Sequence, residues 1–461
     1  MTKKYILPFY RIKKNKDKIL LITDQGSWAV LSRNKYKELL RYELSEQIIE
    51  QLEQKGIILT EKNTHIFINQ EILRKKFLVH PPSLHIIIPT LRCNHQCIYC
   101  HSSAEQDQKK GCDLNEETAK EIVDFIMQSP SKKIKIEFQG GDGLLNFPIL
   151  KYIIKYSQNK IKENEKDLMI TLVTNLTLMT DEQIKYLREK KVSITTSLDG
   201  PKEIHDNNRK YLGGQGTYDD VITKIKTCRE NNIRVGALMV TTRKSLEKAE
   251  EIVDEYIERG FTGIQLKFLN KIGFAEKDWK NVGYTPEEYL DFWKKSMEYI
   301  IQKNKEGINI VERFTTLLLK KIIKGIEPGF LDLRSPCGIA LGQIAYNYNG
   351  DIYSCDEGRG FEIFNLGNVK QISFKEYANS KPVHKLIESS ILETTYCDTC
   401  IYKPYCGTCP VLNYAEQKSL IAKNATNYRC KILKGQFDWI FEKIINEPET
   451  RTIFSKWIEK N

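Results

Sequence analysis

Residues 84–100 read LHIIIPTLRCNHQCIYC, and this stretch decides the fold. Its run of branched apolar residues predicts a short buried strand. The strand leads into three cysteines spaced C-x3-C-x2-C: Cys93, Cys97 and Cys100. Three thiolates on one tight loop can bind three corners of an iron–sulfur cubane and leave the fourth iron open. Structural zinc is the competing interpretation, because His95 or His101 could supply a fourth ligand.

Five more apolar segments follow, separated by stretches with helical periodicity near 115–128, 147–162, 181–190, 218–231 and 246–259. The segments are IKIEF, DLMITLVTN, VSITTSL, IRVGALMV and GIQLKF. Strands that alternate with helices predict parallel βαβ units, and hence an α/β fold with a partial (β/α)6 TIM-type barrel. Ligand groups in such folds gather at the carboxyl ends of strands. The cysteine loop lies at such an end, which favours the cluster over zinc.

The regions on either side of the barrel differ from it in pattern. Residues 1–80 predict a winged-helix-like unit, with strands in YILPFYRI, KILLITD and SWAVLS, helices at 34–41 and 45–55, and strands in GIILT and HIFIN. Residues 271–330 are mostly helical, 335–430 are short-stranded and cysteine-dense, and an amphipathic helix is predicted near 436–445. We therefore divide the chain into 1–80, a barrel at 81–320, a cysteine-rich domain at 321–435 and a C-terminal helix at 436–461.

Composition restricts the class of protein. The 461 residues are 41% hydrophobic and carry a net charge of +11, but the lysines are dispersed along the chain. This distribution favours a solvated surface over nucleic acid as a partner. The chain has no run approaching the ~18 apolar residues of a membrane span, and its charged N-terminus does not resemble a signal peptide. We expect a cytoplasmic protein, in which twelve cysteines indicate metal rather than disulfides.

Seven of the cysteines lie in the C-terminal region. Cys337 and Cys355 form C-x12-G-x4-C, and the others are Cys397, Cys400, Cys406, Cys409 and Cys430. Seven thiols cannot form a closed set of disulfides, and two four-thiolate zinc sites would need eight. Zinc ribbons remain the structural alternative, because C-x2-C pairs occur in both kinds of site.

The first loop resembles that of the radical S-adenosylmethionine (SAM) superfamily, and in particular its peptide-modifying members. The resemblance implies that Cys93, Cys97 and Cys100 hold a 4Fe–4S cluster whose open iron binds the amino and carboxylate groups of SAM. Reductive cleavage would then give a 5′-deoxyadenosyl radical that abstracts a substrate hydrogen. Tyr99 would pack near the adenine.

Motifs at later strand ends extend the resemblance. Gly140-Gly141-Asp142 is similar to the family's Gly-Gly-Glu motif for the methionine amino group, with a shorter acid and Gly143 in place of the usual proline. Ser197-x-Asp199-Gly200 is similar to the motif that meets the ribose. Arg209 is the candidate partner of the cofactor carboxylate, and Asn175 is a further pocket residue.

The C-terminal cysteines resemble the SPASM extension of radical peptide maturases, which carries two auxiliary clusters. By position, Cys337, Cys355 and Cys409 would hold the first of these clusters, and Cys397, Cys400, Cys406 and Cys430 the second. Two departures are the shorter Gly407-Thr408 spacing and the missing fourth thiolate of the first cluster. By resemblance to anaerobic sulfatase maturases, Asp356 is the candidate catalytic base. An anionic cluster beside it is expected to raise its pKa.

Four stretches extend the resemblance over nearly the whole chain: LPFYRI…ILLITDQGSWAVLS, TLRCNHQCIYC, EFQGGDGLLNF and CGTCPV. They look most like the His-Xaa-Ser system radical SAM maturases. This resemblance implies three 4Fe–4S clusters, SAM, an external electron donor and further maturation proteins. It also implies that residues 1–80 bind a precursor peptide, for which an exposed strand edge is suited. Two alternatives remain open, a formylglycine-generating sulfatase maturase and a non-catalytic zinc-ribbon adaptor.

Overall fold

Three antiparallel strands begin the fold in the computed structural model, which describes residues 5–423 and 426–459. In the middle strand, Leu20 and Ile22 face the main core, whereas Leu21 faces a small separate core. This alternation follows from the two-residue period of a strand, and it docks the N-terminal unit on the rest of the chain. Its elements are β1 (Tyr10–Asn15), β2 (Lys18–Thr23), β3 (Trp28–Ser32), α1 (Arg33–Arg41), α2 (Glu46–Gln54) and α3 (Thr64–Lys75).

The two last strands predicted for this unit are wrong. The segment GIILT makes only an isolated bridge, between Leu59 and Ile6. The segment HIFIN lies in helix α3. Its five residues alternate as a strand would, but they continue into QEILRK, which is rich in strong helix formers. Helix propensity over twelve residues therefore prevailed over a short local alternation.

The six barrel strands predicted from the sequence all form, and they lie in one sheet in chain order: β4, β7, β8, β9, β10 and β12. The segment GIQLKF is split, since β11 pairs with β13 instead. The elements are β4 (Leu84–Ile87), β5 (Arg92–Cys93), β6 (Glu105–Gln106), α4 (Glu116–Met127), β7 (Lys133–Phe138), α5 (Phe147–Asn164), β8 (Asp167–Val173), α6 (Asp181–Glu189), β9 (Ser193–Ser197), α7 (Lys202–Asn208), α8 (Tyr218–Glu230), β10 (Val235–Val240), α9 (Ala249–Glu258), β11 (Gly263–Ile264), β12 (Leu266–Lys267), α10 (Phe274–Lys277), α11 (Trp279–Val282), α12 (Pro286–Lys305), β13 (Val311–Glu312) and α13 (Arg313–Lys324).

The cysteine-rich region extends the same sheet, because β14 pairs in parallel with β4 and is followed by antiparallel β15 and β16. The single terminal helix predicted near 436–445 is too short: α17 begins at Tyr428, where Asn427 caps it, and α18 follows. The elements are β14 (Gln343–Tyr346), β15 (Asp351–Tyr353), β16 (Asn365–Asn368), α14 (Phe374–Ala378), α15 (Lys381–Glu388), α16 (Pro410–Gln417), α17 (Tyr428–Asn446) and α18 (Pro448–Glu459).

The parallel sheet gives the molecule one edge at which the segments after β4, β7, β8 and β9 meet. These segments carry the first cysteine loop, Gly140–Asp142, Asn175 and Ser197. Within the described residues, the helices are too short or too polar to cross a lipid bilayer.

Candidate active site

The first cysteine loop is held by the segment that follows α7. The backbone N–H of Ile98 donates to the carbonyl of Asn208 (3.0 Å), and that of Gln96 donates to Lys210 (2.8 Å). N–H groups also approach the sulfurs: Asn175 Nδ2 lies 3.8 Å from Cys93 Sγ, and Arg209 Nη1 lies 3.7 Å from Cys97 Sγ. Such donors stabilise thiolates that bind metal.

Burial raises the pKa of the Cys93 thiol well above its usual value and that of Cys97 to about 11, although Arg209 opposes the increase at Cys97. Without a metal these thiols are therefore neutral at physiological pH. A bound metal would replace their protons.

The glycine pair packs against the segment that leads to Cys93. A Cβ atom on Gly141 would lie 2.0 Å from the carbonyl oxygen of Arg92, and one on Gly140 (φ +118°) would lie 2.7 Å from that of Thr90. Asp142 is buried, and its carboxylate accepts hydrogen bonds from Thr174 Oγ1 (2.8 Å) and from the N–H of Asn175 (2.8 Å). This acid thus joins β7 to β8, and any contact of the motif with a ligand falls to its backbone.

Tyr99, Asp199 and Arg209 form a buried cluster beside the loop. The Tyr99 hydroxyl donates to Asp199 (2.5 Å), Arg209 Nε donates to the same oxygen (3.3 Å), and the guanidinium lies 5.1 Å from the Tyr99 ring centre. Asn208 also donates to this carboxylate (3.1 Å), and so does the backbone N–H of Val240 (3.2 Å). Arg209, predicted as a cofactor ligand, is therefore also the counter-ion of a fully buried acid.

The seven C-terminal cysteines fall into two groups in space. We call Cys337, Cys355 and Cys409 set I, and Cys397, Cys400, Cys406 and Cys430 set II. Burial raises the pKa of Cys355 well above its usual value, and Cys409 and Cys337 add to the increase. Cys406 likewise has Cys400, Cys397 and Cys430 as its thiol neighbours. The thiol neighbours of Cys355 and of Cys406 thus belong to the sets that the resemblance suggested.

A zinc ion and an iron–sulfur cluster place different demands on their cysteine ligands. A zinc ion needs its ligands within about 2.0–2.3 Å of one point. In the part of the chain that the structure describes, no three His, Cys, Asp or Glu side chains converge in this way. The thiolates of an iron–sulfur cluster bind separate irons, so a cluster does not require its ligands to converge on one point.

One cavity of about 650 Å³ lies between the first cysteine loop and the residues that follow Cys355. Ten of the residues predicted for the first cluster and for the cofactor line this cavity: Cys93, Cys97, Tyr99, Cys100, Gly140, Gly141, Asp142, Asn175, Ser197 and Arg209. Asp199 does not line it and lies behind Tyr99 and Arg209. Asp356 and Glu357, which follow Cys355, line the same cavity.

Asp356 is not the raised carboxyl that the sequence predicted. Its Oδ2 lies 2.6 Å from His101 Nε2, and its Oδ1 accepts two hydrogen bonds from Arg359, at 3.0 and 2.8 Å. Burial raises its pKa, but the charges of Arg359 and His101 outweigh burial and hold the pKa well below its ordinary value. The expectation of a raised pKa is therefore wrong for the protein without its clusters. No sequence motif indicated that His101 and Arg359 would contact Asp356.

Sequence reasoning missed three charged groups beside set I. Asp332 is an electrostatic neighbour of Cys337 and Cys409, and Glu357 is one of Cys355. Arg429 lies beside Asp332 and is buried. Glu357 could have been identified from its position two residues after Cys355. Arg429 could likewise have been identified from its position directly before Cys430, whereas Asp332 lies in a segment without a motif.

Comparison with known proteins agrees with this architecture. Residues 87–266 match the radical SAM superfamily model, and residues 337–410 match SPASM, an iron–sulfur cluster-binding domain. An uncharacterized protein of Methanocaldococcus jannaschii, MJ0907, is 31% identical over 62% of this chain and 88% of its own length. The cysteine-type anaerobic sulfatase-maturating enzyme of Clostridium perfringens is 26% identical over 79% of this chain and 98% of its own.

Solved structures share the fold. The structure of anSMEcpe with bound AdoMet has a TM-score of 0.68 at 23% identity and covers 79% of this chain and 98% of its own. The structure of Streptococcus suis SuiB bound to the precursor peptide SuiA has a TM-score of 0.55 at 14% identity. The match covers 92% of this chain and 100% of the SuiB chain. The chain therefore belongs to the radical SAM superfamily, with a mixed α/β fold and a C-terminal SPASM domain.

Family membership supports an enzyme and argues against a zinc-ribbon adaptor. The radical SAM domain implies a 4Fe–4S cluster with SAM, and the SPASM domain implies auxiliary iron–sulfur clusters.

Proposed function

We propose that this enzyme is a peptide maturase that modifies a ribosomally made precursor peptide. The observation that carries the proposal is the single cavity shared by the first cysteine loop and by Asp356 and Glu357. Its volume of about 650 Å³ lies within the range of pockets that hold drug-sized ligands. SAM and a peptide side chain can therefore meet in one space between the first cysteine loop and the SPASM domain.

The ligands are proposed as follows. Cys93, Cys97 and Cys100 hold the SAM-binding cluster, while set I and set II hold two auxiliary clusters, which makes three 4Fe–4S clusters. When bound, the first cluster and SAM supply a radical that removes a hydrogen atom from the substrate. The backbone of Gly140 and Gly141 would hold the amino group of SAM, and Arg209 would hold its carboxylate. Tyr99, Asn175, Ser197 and Asp199 shape the remainder of the pocket.

The proton acceptor in this proposal is Asp356 together with His101. A carboxylate with a depressed pKa is a weak base by itself. His101 Nε2 is hydrogen-bonded to it, and 41% of the His101 side chain is exposed. When its imidazole is neutral, His101 can therefore take up a proton that the substrate has given to the buried carboxylate and release it at the surface. Arg359 holds the carboxylate in place by its two hydrogen bonds.

The N-terminal unit is proposed to bind the precursor peptide. Both outer strands of its sheet, β1 and β3, have one side without a strand partner among the described residues, which suits β-augmentation. Helix α3 buries no residue and exposes four large apolar side chains by 49–64%: Ile66, Ile68, Ile72 and Leu73. Such exposed apolar surface marks interaction sites. The likeness to SuiB bound to a precursor peptide, which covers 92% of this chain, also supports this role.

Within peptide maturation, we propose a His-Xaa-Ser system, with an external reductant and further maturation proteins as partners. The sulfatase-maturase reaction is the second candidate. It is favoured by the Clostridium perfringens relative, 98% of whose length is covered by this chain.

A paired substrate assay separates the two candidates. The reconstituted enzyme, SAM and a reductant are incubated with a synthetic peptide encoded beside the gene, or with a cysteine-containing sulfatase peptide. We expect release of 5′-deoxyadenosine together with a mass change of the peptide that is encoded beside the gene. An aldehyde formed only on the sulfatase peptide would instead establish the second candidate. Ile72→Glu, on the exposed face of α3, should reduce peptide modification and leave substrate-independent SAM cleavage unchanged.

A further inference from the structure

A buried arginine lies between the two C-terminal cysteine sets. Arg429 exposes 7% of its surface and directly precedes Cys430 of set II. Its Nη2 donates to the carbonyl oxygen of Asp332 (3.0 Å), and its Nη1 lies 3.8 Å from the Asp332 carboxylate. Asp332 in turn lies five residues before Cys337 of set I. The guanidinium therefore connects one cysteine set to the segment that leads to the other.

The same carbonyl oxygen touches the turn that separates the sets. A Cβ atom on Gly407 would lie 2.3 Å from the Asp332 oxygen. Gly407 stands between Cys406 of set II and Cys409 of set I. Arg429 donates to this carbonyl oxygen, so its guanidinium is held beside the turn that carries a ligand of each set. Its positive charge thus acts on both sets at once.

The guanidinium also has a hydrogen-bond donor to spare. Arg429 Nε is buried and has no hydrogen-bond partner among residues 5–423 and 426–459. Two thiolate-bound clusters in one protein interior repel each other, and reduction adds a further negative charge. An arginine stays charged under all conditions of interest, and hydrogen bonds to cluster sulfurs are a principal determinant of reduction potential.

We propose that Arg429 is a positioning residue that raises the reduction potentials of both auxiliary clusters by holding a fixed positive charge and a free N–H between them. The inference rests on the assignment of set I and set II proposed above. It predicts a property of the clusters that does not depend on the peptide substrate.

The test uses the full chain with Cys93, Cys97 and Cys100 all replaced by alanine, the first-loop triple variant, so that only auxiliary clusters contribute. Midpoint potentials are measured by redox titration followed by electron paramagnetic resonance. Adding Arg429→Gln should make both potentials more negative by at least a tenfold change in the one-electron equilibrium, or about 59 mV. Lys434→Gln is the matched control. Lys434 is an exposed cation that neighbours Cys400 and Cys430, so its smaller effect should be confined to the set II cluster.

Unchanged potentials in Arg429→Gln, or a change in one cluster alone, would overturn the inference. If Arg429→Gln does not retain its clusters, Asp332→Asn is measured instead. This substitution removes the acid paired with Arg429, so both potentials should become more positive. Unchanged potentials would overturn the proposal. Iron near eight per chain in the triple variant checks the two clusters. A lower value would overturn the cysteine assignment and this inference with it, whereas failure of peptide modification alone would count only against the proposed function.

Discussion

Replacing Asp199 by asparagine would remove the counter-charge of Arg209 at the centre of the candidate active site. Asp199 is fully buried. One of its oxygens accepts hydrogen bonds from Tyr99, Asn208 and Arg209, and the other accepts from the N–H of Val240. An amide has a single acceptor oxygen, so it cannot satisfy both groups of donors. The substitution therefore leaves a buried cation without its partner.

The cost can be estimated from this geometry. Removing one member of a buried ion pair destabilises a protein by about 3–5 kcal/mol. For a cooperative unit of 150–250 residues, this lowers the melting midpoint by about 6–20 °C. Arg209 also approaches Cys97 Sγ (3.7 Å), so its displacement should reduce SAM binding and 5′-deoxyadenosine formation together.

The assay is anaerobic thermal unfolding followed by circular dichroism, combined with a SAM cleavage assay. Asp219→Asn is the control, because Asp219 pairs with Lys202 at the surface, where the two side chains are 71% and 57% exposed. Loss of such an exposed pair has little effect on stability. If Asp199→Asn melted at the same temperature as this control and cleaved SAM normally, the role assigned to the buried pair would be refuted.

Three further predictions concern the clusters, the glycine motif and pH. The first-loop triple variant should form no 5′-deoxyadenosine while iron falls from near twelve to near eight per chain; retained cleavage would contradict the cluster assignment. Gly141→Ala should abolish SAM binding in a calorimetric titration, because its Cβ would lie 2.0 Å from the Arg92 oxygen. Gly360→Ala, a control with open space around its Cβ and no positive φ, should bind normally. Burial lowers the pKa of His85 to about 3 from 6.5, so the unfolded chain takes up this proton first as the pH falls. The free energy of unfolding should then decrease by up to about 1.4 kcal/mol per pH unit as the pH falls from 6.5 to about 3. In His85→Gln the melting midpoint should fall less steeply with pH, and a slope equal to that of the unmodified protein would contradict the prediction.

Much of the fold was predictable because its signals are local. The six parallel strands β4, β7, β8, β9, β10 and β12 are short apolar runs bounded by turns, and all six formed where they were predicted. The errors occurred where local patterns were ambiguous. HIFIN alternates like a strand but belongs to a twelve-residue helix. No local signal marked the start of α17 after the cysteine-rich turns.

The sequence by itself determined which chemistry the chain can perform. Cys93, Cys97 and Cys100 lie within eight residues, so a single loop defines their geometry. Only the tertiary structure decided the state of Asp356, because His101 lies 255 positions away in the chain and reaches it only after β14 pairs with β4. The same holds for Arg429, whose place between the cysteine sets depends on the packing of Asp332 against the turn at Gly407. Ligand spacing is a local property of the chain, whereas the charges that control a buried group come from segments brought together by folding.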